Sequence, residues 1–236
     1  MTLIAIIQSN YIPWCGYFDI IAHSDKFVFL DDVQYTRSDW RNRNLIKTPV
    51  GAKWLSVPCG SSVSRTVDEV TVLKSDWAAK HWKTISRNYS NSPYFPEISP
   101  IFETLYSSWD SPVLLSTINQ TLIRVIAREI LELKCEFYSS RDLNLRGDKT
   151  ERLAKIISAL DGDVYLSGPS AKSYIDEDNF KKRRVKVAYV NYPNYGPYPQ
   201  NYGAFVPNLS ILDAIFNLGQ NVSSLIGKSG FYNRET

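Results

Sequence analysis

The residues of this sequence that are best suited to chemistry form one dense polar stretch over 31–44. Two adjacent carboxylates, Asp31 and Asp32, open the stretch. Alternating cations and amides close it: Arg41, Asn42, Arg43 and Asn44. Paired carboxylates act as a general base or hold a divalent cation through their oxygens, and arginine binds phosphate through paired hydrogen bonds. The same residue types also form ion pairs in solvated loops, so the spacing alone leaves both interpretations open.

This polar stretch begins where a predicted strand ends. Apolar, β-branched runs predict buried strands over 3–7 and 26–30, and a short helix is predicted between them over 14–23. A strand, a helix and a strand in this order form a βαβ unit, whose strands are parallel. Since ligands bind outside the carboxyl ends of parallel strands, we expect Asn10, after the first strand, to lie beside Asp31.

The rest of the chain alternates between predicted strands and helices. Further strands are predicted over 54–58, 67–73, 164–167 and 185–190. Helices are predicted over 77–89, 112–133 and 208–218, and another begins at Asp148, which forms a capping box with Glu151. The proline- and tyrosine-rich residues 191–202 predict an irregular loop. We therefore expect a single α/β domain over 1–236, with a mostly parallel sheet, flanking helices and a Rossmann-like N-terminal βαβ unit.

Composition excludes several classes of protein. The chain has 236 residues, of which 44% are hydrophobic and 22% charged, and its formal net charge is +3. These values are typical of a globular protein rather than a disordered or fibrous one, and the net charge does not indicate nucleic-acid binding. No apolar run is long enough for a membrane span, and the three cysteines form no metal-binding or disulfide pattern. We therefore expect a cytoplasmic protein.

Three residues are candidates for proton transfer. Asp31 and Asp32 are the first two, and His81 is the third because histidine titrates near neutral pH. A single helical histidine between lysines is more often a surface residue, so the alternative for His81 is a solvated position. The candidate substrate-binding residues follow the predicted strands or belong to the polar stretch. They are Gln8, Asn10, Tyr11, Trp14, Gln34, Tyr35, Arg41, Asn42, Arg43, Asn44, Tyr165 and Ser167.

These segments, in this order, resemble the WbqC-like protein family. The resemblance begins with Gln8, Tyr11, Pro13, Trp14, Gly16, Tyr17 and Phe18. It continues through Asp31, Asp32, Gln34 and Tyr35, then residues 40–44 and 54–58, then Trp77, His81, Asn88, Tyr89, Tyr94 and Phe95. It ends with residues 165–168, Phe205 and residues 210–213. The family usually has proline at the position of Ser9, so a local backbone constraint differs here.

The resemblance implies a role in the biosynthesis of surface polysaccharides, O-antigen especially. It suggests an N-acyl or N-aminoacyl transferase that acts on a nucleotide-linked amino sugar. The donor would be a thioester on an acyl carrier protein or on coenzyme A, and no tightly bound cofactor or metal is expected. One candidate base would take the amine proton, Arg41 or Arg43 would hold a diphosphate, and Asn42 or Asn44 would stabilise the oxyanion.

Two alternatives belong to other classes. In a metal-dependent glycosyltransferase, Asp31 and Asp32 would hold the cation that bridges the donor diphosphate. A non-catalytic scaffold of a polysaccharide assembly complex would need an exposed apolar patch rather than a polar cleft. Polar clusters at the ends of predicted strands favour a cleft. The sequence does not give the oligomeric state.

Overall fold

A computed structural model describes residues 1–228 and 230–232. Its strands are β1 Leu3–Ile7, β2 Lys26–Phe29, β3 Arg43–Thr48, β4 Gly51–Ser56, β5 Thr71–Val72, β6 Val113–Leu114, β7 Glu136–Ser139, β8 Val164–Ser167 and β9 Lys186–Tyr189. Its α-helices are α1 Cys15–Ala22, α2 Trp77–Tyr89, α3 Phe95–Ser108, α4 Leu115–Val125, α5 Ser140–Leu143, α6 Lys149–Ala159, α7 Glu177–Lys181 and α8 Ile211–Leu218.

A five-stranded parallel sheet organises the chain, with the strand order β7-β2-β1-β8-β9. The chain builds outward from β1 in one direction through β2 and β7, then returns to the other side of β1 with β8 and β9. This order is that of a Rossmann-type sheet, and its direction reverses between β1 and β8. The predicted α/β class and the parallel pairing of β1 with β2 are both confirmed.

The sheet has a hydrophobic layer on each face because successive side chains point to opposite sides. Ile4 and Val28 belong to the smaller core, whose other members come mainly from α6 and the segment around α7. Ala5 and Phe27 belong to the larger core on the opposite face, which includes α1, α2, α3, α4 and α8. The sheet is therefore covered on both faces, as a parallel sheet requires.

The long segment between β2 and β7 differs most from the sequence prediction. The predicted strand over 54–58 is β4, which is antiparallel to the unpredicted β3. The predicted strand over 67–73 is a 3-10 turn followed by β5, which pairs with β6. The predicted helix over 112–133 is β6, then α4, then one π-helical turn over Ile126–Ile130. Helix α3 and strand β7 were not predicted, because Pro100 inside α3 disfavours a helix and β7 is short and partly exposed.

The C-terminal part closes the larger core. Residues 191–202 form the irregular loop that the sequence predicts. Its tyrosines bond to buried carboxylates: the Tyr195 hydroxyl donates to Asp19 and the Tyr198 hydroxyl donates to Asp213. Helix α8 is shorter than the predicted 208–218 because Ser210 caps its N-terminus. In the described part of the chain, no helix has both the length and the apolar character needed to cross a membrane.

Candidate functional site

The ends of β1 and β2 meet at one edge of the sheet, as the sequence predicts. The main-chain N–H of Ser9, just after β1, donates to Asp31 Oδ1 at 2.7 Å. Gln120 on α4 donates to Asp31 Oδ2 at 2.8 Å. Helix α4 is held at the same edge because Asn119 donates to the carbonyl oxygens of Ser9 and Arg41. These bonds join the two strand ends and the inserted segment into one polar centre.

Burial dominates the ionisation of Asp31. The residue is 2% exposed. Desolvation by burial raises the pKa of its carboxyl group, the hydrogen bonds from Ser9 and Gln120 lower it, and the nearby Asp68 carboxylate raises it. The net result is a raised pKa, which is the direction that makes a carboxylate a better base near neutral pH.

A cavity of about 480 Å³ lies at the reversal of strand order, outside the carboxyl ends of β1 and β8. We call it the switch-point crevice. In open α/β sheets this is the position where ligands bind. Its lining includes Gln8, Arg41, Lys149, Arg152, Tyr165, Ser167, Gly168, Tyr174 and Tyr192.

Among the residues that the structure describes, three cations line this crevice and no carboxylate does. Arg41 donates to Gln8 and, at 2.5 Å, to Asp39. Arg152, on the first turns of α6, pairs with Asp32 and donates through Nε to the carbonyl oxygen of Leu145. Lys149 lies 3.9 Å from the ring centroid of Tyr174. Two of the three cations are therefore held by fixed partners, as a preorganised anion site requires.

Asp32 is the ion-pair partner of Arg152. Its Oδ2 pairs with Arg152, and its Oδ1 accepts a hydrogen bond from the Ser140 hydroxyl at 2.5 Å. With both oxygens engaged, the carboxylate orients the guanidinium that faces the crevice. Within residues 1–228 and 230–232, no group of three or more His, Cys, Asp and Glu side chains has the arrangement of a metal site.

His81 lies inside the protein rather than on its surface. It is 7% exposed, and its Nε2 donates to the carbonyl oxygen of Ser56 at 3.1 Å. Because a carbonyl only accepts, Nδ1 is the unprotonated nitrogen and accepts from the Tyr11 hydroxyl at 2.7 Å. Tyr106 then donates to Tyr11 at 2.6 Å, which completes a buried chain. The sequence alternative of a solvated histidine is therefore wrong, and its ring is committed to holding α2 against the β1 edge.

This environment predicts acid sensitivity. Burial lowers the pKa of His81 from 6.5 to about 4, so the folded state holds the ring neutral while the unfolded chain protonates it. The free energy of unfolding therefore keeps its full value above pH 6.5, and it decreases as the pH falls from 6.5 to about 4. The shift corresponds to roughly 3 kcal/mol in the free energy of unfolding. We expect His81→Gln to lose less stability than the wild type over this interval. Urea denaturation at both pH values measures it, and equal losses in the two proteins would contradict it.

The predicted substrate-binding residues divide into separate places. Gln8, Arg41, Tyr165 and Ser167 line the crevice. Asn10, Trp14 and Asn44 line a second cavity of about 250 Å³, which we call the amide pocket. Tyr11 and Tyr35 are fully buried. Gln34 is exposed and pairs with Thr66 away from both cavities.

The other predicted binding residues of the polar stretch contact neighbouring parts of the protein rather than a cavity, except for Asn44, which does both. Asn42 donates to the carbonyl oxygen of Val57, and Asn44 donates to those of Tyr11 and Ile12. Arg43 lies over the Trp54 ring, 4.1 Å from its centroid. The two amide groups are thus bonded to the main chain rather than aimed at an oxyanion.

Sequence reasoning missed several cavity residues. Lys149 and Arg152 were not selected because they belong to α6, which follows the unpredicted β7, so its position could not be deduced. The predicted N-cap at Asp148 correctly places the start of α6, since its side chain accepts from the main-chain N–H of Glu151. Tyr174 in the crevice and Asn208 in the amide pocket were missed too, whereas Tyr192 belongs to the predicted tyrosine-rich loop and Trp40 to the polar stretch.

The cysteines do not form a nucleophilic site. All three are buried and free. Burial raises the pKa of Cys59 to about 11 and that of Cys15 and Cys135 to about 12. Their thiols therefore stay protonated near neutral pH, which agrees with the absence of a thiol motif in the sequence.

Comparison with known proteins identifies relatives over most of the chain. The family model of the WbqC-like protein family matches residues 8–224. A relative from Mycobacterium tuberculosis (strain ATCC 25618 / H37Rv), named "Uncharacterized protein Rv1507c", is 41% identical over 221 residues, which cover 93% of this chain and 95% of the relative. No solved structure shows a significant match. All residues that line the amide pocket lie within the matched range, as do all those that line the crevice except Ile6 and Ile7.

Proposed function

The chain belongs to the WbqC-like protein family, and on that premise we propose that it transfers an acyl or aminoacyl group to the amine of a nucleotide-linked amino sugar. The observation that carries the proposal is the switch-point crevice, where Arg41, Lys149 and Arg152 face a cavity at the ligand-binding edge of the sheet. An enzyme of this class supplies the substituted amino sugars of surface polysaccharides, O-antigen in particular.

The crevice suits a nucleoside diphosphate group. Its three cations attract a diphosphate, while Asp39 and Asp32 offset part of the charge of Arg41 and Arg152, and arginine binds phosphate oxygens through paired hydrogen bonds. The exposed Tyr174 and the partly buried Tyr192 offer aromatic faces in the same cavity. Aromatic rings next to a cationic centre suit the flat base of a nucleotide. We expect nucleotide binding at this place without a divalent cation because Arg41, Lys149 and Arg152 supply positive charge.

We assign the base to Asp31, which is 2% exposed and lines neither cavity, so the amine proton reaches it only when the substrate or a water enters beside Ser9. It bonds to Ser9, which lies between Gln8 in the crevice and Asn10 in the amide pocket. In the proposed step the sugar amine attacks the thioester carbonyl carbon, a C–N bond forms and the C–S bond breaks. The amine proton passes to Asp31, and the departing thiolate of the carrier protein or coenzyme A is protonated. Asp32 positions Arg152, and His81 stabilises the fold.

The partners of Asp31 and Asp32 affect whether these carboxylates could hold the cation that the glycosyltransferase alternative requires. Asp31 accepts from Ser9 and Gln120, and Asp32 from Ser140 and Arg152. The guanidinium of Arg152 already neutralises Asp32 and repels a second cation there, which favours acyl transfer over metal-bridged glycosyl transfer.

The test of the proposal is direct detection of product. The purified protein is incubated with nucleotide-linked amino sugars and with acyl-coenzyme A or an acylated carrier protein, and the sugar nucleotides are analysed by mass spectrometry. We expect a mass increase equal to the acyl group, together with release of free thiol. Hydrolysis of the nucleotide–sugar bond, or no change with any donor, would contradict the proposal.

A further inference from the structure

The amide pocket differs in chemistry from the crevice beside it. In the described part of the chain, six residues line its cavity of about 250 Å³: Asn10, Pro13, Trp14, Trp40, Asn44 and Asn208. None of them is ionisable, so this pocket favours an uncharged ligand, whereas the crevice favours an anion. Two tryptophans and three asparagines provide flat apolar faces beside neutral hydrogen-bonding groups.

Two of the three amides are available to a ligand. The Asn10 amide oxygen is buried and accepts no hydrogen bond in the described part of the chain. The Asn208 side chain likewise has no described partner, and its main chain has a left-handed φ of 57°, which asparagine tolerates better than most residues. Asn44, by contrast, is bonded to the main chain of Tyr11 and Ile12. A buried polar atom without a partner costs stability, so Asn10 is suited to a ligand hydroxyl or N–H.

The aromatic walls are held in place. The Trp40 carbonyl oxygen accepts from the main-chain N–H of Tyr11 at 3.0 Å, and its indole packs 5.4 Å from that of Trp54, centroid to centroid. Trp40 lines the cavity and is 44% exposed, so it is accessible to a ligand. On the other wall, the Trp14 indole packs over Gly16, where a Cβ atom would collide with it.

From this combination we propose that the amide pocket binds an uncharged pyranose ring. The C–H face of a pyranose is apolar and stacks on an indole, while its hydroxyls both donate to and accept from neutral amides. Asn10 would accept from one hydroxyl, Asn208 would bond to another, and the indole of Trp40 would cover one face of the ring. This binding does not depend on the proposed function.

The position of the pocket connects it with the crevice. The Trp14 ring lies 5.1 Å from that of Tyr192, which lines the crevice. If the proposed function holds, the pocket receives the amino sugar whose diphosphate lies in the crevice. An amine in a neutral pocket loses its proton more readily because burial disfavours the ammonium form. The pocket would then contribute to making the amine nucleophilic, and this last role rests on the proposed function.

The test uses simple sugars, with no nucleotide present. Saturation-transfer NMR is recorded on the full chain with the methyl glycosides of glucose, galactose and N-acetylglucosamine. We expect transfer to the ring protons of at least one of them, with a dissociation constant of about 1 mM, as for a weak single-ring ligand. Trp40→Ala is expected to weaken binding about tenfold because it removes the stacking face.

Two control variants separate the possible outcomes. Leu73→Ala shortens an exposed apolar side chain that lines neither cavity, and should leave the sugar signal unchanged. Arg141→Met removes a positive charge outside both cavities and should also preserve it. No transfer with any glycoside, or equal transfer in wild type and Trp40→Ala, would overturn the inference. Sugar binding without any nucleotide binding would instead refute the proposed function and leave the inference standing.

Discussion

Replacing Asp31 with asparagine is expected to lower turnover by at least about 10²-fold, because the variant cannot take the amine proton. The substitution keeps the size of the side chain, and its oxygen still accepts from Ser9. Gln120 can rotate its own amide to accept from the new NH2 group, so the fold is retained. Turnover is measured as product formed by mass spectrometry, and the affinity for nucleotide should change little. Full turnover in the folded variant would remove Asp31 from the mechanism.

The pH profile distinguishes a base from a purely structural carboxylate. In the wild type, kcat should rise with pH as Asp31 loses its proton and then level off, whereas Asp31→Asn should lack this rise. Gln120→Leu provides a matched test. It removes a hydrogen bond that lowers the pKa of Asp31, so the rise should move to higher pH. An unshifted profile in folded Gln120→Leu would show that the rise belongs to another group.

Arg41→Met is expected to weaken the binding of a nucleoside diphosphate by about 10- to 100-fold. A hydrogen bond to a charged group contributes about 1.5–3 kcal/mol, and methionine retains the apolar stem while removing the guanidinium. The free protein should remain folded because the partner that loses the charge, Asp39, is partly exposed and still accepts from Thr36. Isothermal titration calorimetry with the diphosphate measures the change in affinity.

Arg141→Met is the matched control for this variant. Arg141 also pairs with an aspartate, Asp68, but it lies outside the crevice. Its replacement removes the same charge from the protein and should leave nucleotide affinity within about twofold of wild type, because an exposed charge at a distance is screened by salt. Equal losses of affinity in both variants would point to net charge rather than to the crevice as the source of binding.

The edge where the candidate site lies could be predicted from the sequence. The apolar runs of β1 and β2 are short and clearly bounded, and one short helix connects them. Parallel pairing then follows, and it brings Ser9 and Asp31 into contact. The start of α6 at Asp148 was equally clear because capping is a local interaction.

The other half of the site depends on contacts that are distant in sequence. Arg152 reaches the crevice only because β7 pairs with β2 and returns the chain to this edge. β7 is short and partly exposed, so its sequence carries no strong apolar signal. The burial of His81 likewise depends on Tyr11 and Ser56, which lie 70 and 25 residues away in the chain. No local pattern distinguishes such a histidine from a surface one.

The most direct test of the central claim, that the crevice binds the diphosphate of a nucleotide-linked amino sugar, is a thermal-shift titration. The melting temperature is measured with nucleoside diphosphates and nucleotide-linked amino sugars, in EDTA and again with Mg²⁺ or Mn²⁺. Ligand at about 100 times its dissociation constant adds about 2.7 kcal/mol of stability, which is readily seen. The account predicts a shift of equal size with and without metal, which Arg41→Met greatly reduces. A shift that requires metal, or no shift with any nucleotide, would contradict it.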